Sequence, residues 1–256
     1  IKIYPGWTSK SYDGLKEGRK IQLDNKDLRI TDTHFPDYVI KAGASIWQDT
    51  VTISFGSEYA SVGLAGVFPN HIEIETIKLF KGRFINETDI KERRKVIVLH
   101  KKTAEILFHK THTEPIGQFV NMGNVAYRVV GLCNDKGDSG EKPALIPFST
   151  LQTIYNQGDK LSCLTIATKN LETIEANNNF EKEYRKALGA NHRFDPTDNS
   201  ALWIWNQFTN YLQQQKGMAI LRTGIWVIGI FTLLSGIVGV SLSLIHISEP
   251  TRQEAI

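Results

Sequence analysis

The chain has 256 residues, 41% hydrophobic and 22% charged, with 30 Lys and Arg against 27 Asp and Glu. That length holds one large domain or two small ones around a sizeable core. The charges are dispersed, with no block of five of one sign, which excludes a nucleic-acid-binding stripe. Two cysteines, Cys133 and Cys163, are too few for a Cys-rich metal site or a disulfide framework. They read as unpaired buried thiols, with a single Cys133–Cys163 bridge as the alternative in an oxidising compartment.

The opening "IKIYPG" reads as a strand, followed by the polar loop "WTSKSYDGLKEGRK". A short helix is expected from Asp24 or Asn25, then a strand near Tyr38–Trp47. "TVTISFG" and "YASVGLAGVFP" alternate as paired strands do, and "NHIEIETIKLFKGRFI" is expected to give a short helix closing on Gly82. The texture then changes. "KVIVL" is a short buried strand, "HKKTAEILF" a helix, and "QFVNMGNVAYRVVGLC" a hairpin joined at Gly123-Asn124. "NDKGDSGE" is a solvated turn without the ligand order of an EF-hand loop. "KPALIPF" and "STLQTIYN" form a strand and a helix.

From Leu161 the early pattern returns. "LSCLTIAT" is a strand, Leu171–Leu188 a helix capped by Asn170 and stopped by Gly189, and "HRFDP" a second strand. Two strand–helix–strand halves thus bracket a β-rich middle. The fold class is α+β, a split ferredoxin-like unit with an insertion.

A helix capped at Asp198, Asn199 or Ser200 is expected next, with Leu202, Trp205, Phe208 and Leu212 at steps of three and four residues. No proline interrupts the chain from there to Pro250. Thr223–Ile245 carries no charge over 23 residues, about 34 Å of helix against a hydrocarbon core of about 30 Å. That length favours a membrane span over a buried core helix. Within it Gly229, Thr232, Gly236 and Gly239 follow steps of three, four and three, with Ser235 beside them. Small residues on one stripe let a second helix approach closely.

Catalytic chemistry has no foothold. The chain lacks GxxxxGK[ST], GxSxG, HExxH and CxxC, so no enzyme, cofactor or metal role is expected. His109 and His112 have a spacing metals use but no third ligand nearby in sequence. "NET" at Asn86 is a sequon of the kind that recurs by chance.

"ETIKLFKGRFINETDIKERRKVIVLHKKTAEILF", "PIGQFVNMGNVAYRVVGLC", "ALIPFSTLQTIY" and "HRFDPTDNSALWIWN", followed by a membrane helix ending "LLSGIVGVS", resemble in order the periplasmic core domain of MacB-like ABC transporter permeases. The resemblance covers nearly all of Ile1–Ser241. It implies a porter-like subdomain in two halves, about 1–80 and 150–200, with a β-rich subdomain of about 81–149 inserted. A stalk helix at 201–222 and a membrane helix at 223–241 follow. It also implies an exterior domain on the cytoplasmic membrane, an ATPase partner that drives the stalk, a second permease copy and a periplasmic adaptor. Residues 242–256 depart from the family pattern and read as a non-native tail, and segments before Ile1 are expected. The alternative is an extracytoplasmic binding, scaffold or regulatory module on a membrane anchor, without transport.

Overall fold

Residues 1–110, 113–134 and 143–248 are described by the structure, a computed structural model. Two compact units divide it, Ile1–Trp205 and the chain from Asn206 onward.

The first unit opens with β1 (Lys2–Pro5), β2 (Leu23–Asp24) and α1 (Asn25–His34). Asp24 caps α1 through Lys26 N and Asp27 N, while the Asp27 carboxylate returns to Asp24 N, a reciprocal capping box. The chain then runs through β3 (Val39–Phe55), β4 (Glu58–Val67), α2 (His71–Ile74), β5 (Lys78–Gly82) and α3 (Glu87–Lys91). Next come β6 (Val96–His100), α4 (Lys101–Phe108), β7 (Phe119–Met122), β8 (Val125–Asn134), β9 (Ala144–Pro147) and α5 (Phe148–Ile154). β10 (Lys160–Leu161), β11 (Cys163–Thr168), α6 (Ile174–His192) and β12 (Leu202–Trp205) complete it.

β12, β1, β11 and β3 lie in that order, all antiparallel. With α1 and α6 as the crossovers, this is the ferredoxin-like arrangement, split between β3 and β11. Phe35 and Tyr38 meet Phe180 and Tyr184 of α6 at ring centroid distances of 5.3 to 5.6 Å. Phe35, Phe180 and Tyr184 belong with Ile3, Leu164 and Ile166 to one buried cluster, and Tyr38 packs against it.

The inserted subdomain closes on itself. β3 pairs β4, β4 pairs β9, β9 pairs β6, β6 pairs β8, β8 pairs β7, and β7 returns to β3. Alternation along these strands feeds two clusters. Ile97, Leu99, Ala144 and Ile146 join the large one, while Val96, Val98 and Leu145 join Phe84 and Ile85 in a smaller one. β5 hangs on β8 outside the ring.

Several boundaries differ from those expected. β3 is one 17-residue strand, not two, with a bulge between Gln48 and Val51. Its first half serves the ferredoxin-like sheet and its second half the ring, so the subdomain change falls within β3 and not at residue 81. The helix before Gly82 spans only His71–Ile74, because Thr76 turns the chain at φ 54° into β5. α6 is capped by Thr173, whose hydroxyl accepts Ala176 N, and runs past Gly189 to His192, with Arg193 as its left-handed C-cap. Gly189 is required for another reason: a Cβ there would press on the Phe194 carbonyl.

The closing strand is not "HRFDP" but Leu202–Trp205, so Leu202 and Trp205 are strand residues rather than the start of a stalk helix. β12 completes the open side of β1, with Lys2 opposite Trp205 and Pro5 opposite Leu202. Arg185 of α6 donates to the Leu202 carbonyl at 2.7 Å. Residues 193–201 form a loop anchored by Asp198, which accepts Ser9 N at 2.6 Å, Ser9 Oγ at 2.7 Å, Ser200 N at 3.0 Å and Lys10 N at 3.2 Å. Cys133 and Cys163 lie buried on β8 and β11. His112 and most of "NDKGDSGE" lie outside the described residues.

Candidate transmembrane helix

The second unit is α7 (Gln207–Ser248), one helix of 42 residues, about 63 Å long. Its cap is Asn206, whose Oδ1 accepts Phe208 N at 3.1 Å. Phe208 and Leu212, expected on a stalk, therefore sit in the first turns of α7. The helix also continues through Leu242–Ser248 without a break at Ser241.

Gly217–Leu244 is long and apolar enough to cross a membrane. Every residue from Met218 to Leu244 is exposed, including Ile225, Ile228, Phe231, Leu233, Leu234 and Val238. An apolar surface of that extent in water would be a strong liability. In hydrocarbon it is the ordinary exterior of a helix whose backbone groups are satisfied internally.

Three hydroxyls in this stretch follow the same rule. Thr223 Oγ1 donates to the Ala219 carbonyl at 3.0 Å, and Ser241 Oγ donates to Ile237 at 2.8 Å. Thr232 Oγ1 reaches the Gly229 carbonyl at 2.9 Å and the Ile228 carbonyl at 3.1 Å. Each such side chain satisfies itself on its own helix, as a low-dielectric environment demands. Arg222 is the one charge among Gly217–Leu244 and stands near its start, where an arginine head reaches the interface. Gly229, Gly236 and Gly239 face open space: a Cβ on any of them would meet nothing within 4 Å. No contact among the described residues accounts for these glycines.

Among the described residues, one group of potential metal ligands stands out, with Asp24, Asp27 and His192 ligand atoms within 4.8 Å of one another. The buried Asp27 carboxylate is already occupied. Oδ2 meets His192 Nε2 at 2.7 Å and Asp24 N at 2.9 Å, and Oδ1 accepts Asn191 Nδ2 at 2.8 Å. The group ties the start of α1 to the end of α6 and leaves Asp27 little to offer a cation. Asn86 is likewise a structural cap, accepting Asp89 N at 2.9 Å at the head of α3.

The model of the MacB-like periplasmic core domain matches residues 2–179, which is 178 of 256 positions. The chain belongs to the MacB-like periplasmic core domain family. Similar relatives include the macrolide export ATP-binding/permease protein MacB of Aggregatibacter actinomycetemcomitans, 22% identical over 249 residues, covering 94% of this chain and 37% of the relative. MacB of Bartonella henselae is 29% identical over 129 residues, covering 49% and 19%. The crystal structure of the periplasmic region of MacB from Actinobacillus actinomycetemcomitans superposes with a TM-score of 0.65 at 18% identity, covering 84% of this chain and 91% of that one. At that identity the superposition establishes the fold. The chain spans well under half the length of these curated relatives.

Proposed function

We propose that this chain is the extracytoplasmic core domain and a membrane helix of an ABC transporter permease of the MacB type. A partner ATPase supplies hydrolysis in the cytoplasm, and α7 carries the resulting movement to the exterior domain for export or extraction of a substrate. The observation that carries this reading is the continuity of α7 through the apolar stretch, from a capped start one residue after the sheet ends. Coupling between distant sites needs a stiff element with two arrangements, and an unbroken helix is such an element.

Two further features support it. Lys2 and Trp205 are paired neighbours, so a segment preceding Ile1 would emerge beside the strand that leads to α7. The small-residue stripe of Gly229, Thr232, Ser235, Gly236 and Gly239 suits a second helix, from the same subunit or from a second permease copy. The ATPase, the second copy, membrane lipid and a periplasmic adaptor are the partners this reading requires.

Gly229→Leu combined with Gly236→Leu tests it in the full-length protein. The double variant keeps its membrane integration, because Leu inserts more favourably than Gly. Helix–helix crosslinking through Ser235→Cys and export activity each fall by about tenfold or more, since the branched side chains hold the backbones apart. A solitary anchor predicts no change in either readout, and that result would exclude the permease reading.

A further inference from the structure

From Gln207 to Ser248 the helix α7 contains no Asp or Glu, and its two cations are Lys216 and Arg222. Arg222 immediately precedes the uncharged run Thr223–Ile245 and is exposed. Among the described residues no carboxylate pairs with it, whereas Arg83, Arg94 and Arg193 of the first unit each hold one. An arginine does not shed its proton in a protein, so at the edge of hydrocarbon this charge needs an anion from outside the helix.

Arg222 borders a groove along α7, together with Gln215, Met218, Trp226, Gly229 and Leu233. Their spacing of three and four residues keeps them on one face. Gln215 Nε2 donates to the Tyr211 hydroxyl at 2.6 Å, which leaves Arg222 as the group here that can meet an anion. Trp226 follows one turn later, with an indole N–H of the kind that settles at a membrane interface. Beyond it the face is apolar, and at Gly229 it is bare, since a Cβ there would meet nothing within 4 Å. At about 100° per residue, Arg222, Trp226 and Leu233 lie about a third of a turn from Thr232, Ser235 and Gly239. A second helix on the small-residue stripe therefore leaves this face open.

A charged head followed by an apolar channel is complementary to a lipid. The guanidinium fork matches two oxygens of a phosphodiester. With two cations and no acid in the helix, a headgroup of net negative charge is favoured over one that carries its own ammonium.

We propose that Arg222, Trp226 and Gly229 form a site for one anionic phospholipid, its phosphate on the Arg222 guanidinium and an acyl chain running over Gly229 toward Leu233. The site rests on α7 crossing the membrane and not on transport.

The test places the 256-residue chain in nanodiscs of phosphatidylglycerol and phosphatidylcholine in equal parts with identical acyl chains. Retention of the chain by the nanodisc reports insertion separately. Native mass spectrometry of the released chain then counts the lipids it keeps. One bound phosphatidylglycerol is expected, retained about fivefold more than phosphatidylcholine. Arg222→Gln stays inserted, because loss of a charge favours the bilayer, and it abolishes the preference. Arg222→Lys retains part of it, since an ammonium lacks the fork. Equal retention of the two lipids by an inserted chain, or an unchanged preference in Arg222→Gln, overturns the proposal. So does an equal loss in Lys216→Gln, which would mark diffuse surface attraction rather than a site.

Discussion

Leu233→Arg with Leu234→Asp strips the 256-residue chain from the membrane. The strongly apolar members of α7 from Ile225 to Val240 number ten, each worth about −0.3 to −0.6 kcal/mol on insertion, about −3 to −6 kcal/mol together. Each charge near the helix centre costs about 2.5 to 3.5 kcal/mol, and the two lost leucines remove about 1 kcal/mol more. The swing of about 6 to 8 kcal/mol exceeds the favourable sum. Alkaline carbonate extraction reads the outcome, with the unaltered chain in the pellet and the double variant in the supernatant. Tyr59→Arg, on an exposed position of the first unit, changes nothing. An unaltered chain already in the supernatant would show that α7 does not insert.

Asp198→Ala lowers the melting temperature of the first unit by about 6 to 12 °C. The buried carboxylate collects four donors, joining the loop after β1 to the loop before β12. Its removal leaves them without an acceptor, at a cost of about 3 kcal/mol, and each kcal/mol moves the midpoint by about 2 to 4 °C in a domain of this size. Burial pushes the Asp198 carboxyl up, but the Ser9 hydroxyl and the amides of Ser9, Ser200 and Lys10 outweigh it and hold its pKa below the usual value. A depressed folded-state pKa gives stability that is present above the unfolded value of about 3.9 and lost as pH falls through the folded one. The gap between the two proteins is therefore constant near neutrality and narrows below about pH 4. Calorimetry or thermal circular dichroism across pH 3–7 measures both effects. A gap that widened in acid would contradict the assignment.

The parts of the fold legible in the sequence were those with a local signature. The Asp24 cap, the Gly123-Asn124 hairpin and the apolar stretch of α7 each announce themselves within a few residues. Leu202–Trp205 did not. Leu202, Trp205, Phe208 and Leu212 have helical spacing, yet "LWIW" is equally a β-prone run, and the need of β1 for a partner on its open side decided between them. The true helix signal was Asn206, overshadowed by the capping residues at 198–200, whose Asp198 serves a loop instead. The ring of six strands was equally hidden, because β7 closes it through pairings with β3, distant in sequence. For the candidate membrane helix, composition and spacing sufficed to find the stripe. That its glycines answer no contact among the described residues required coordinates.

The central claim is that the first unit lies outside the cytoplasmic membrane and that α7 crosses it. Cys133 and Cys163 are buried, so single cysteines at the exposed positions Tyr59 and Ser243 can be labelled against a low background. A membrane-impermeant maleimide applied to spheroplasts expressing the full-length protein should modify Tyr59→Cys at once and Ser243→Cys only after lysis. Modification of both before lysis, or of Ser243→Cys alone, would contradict the account.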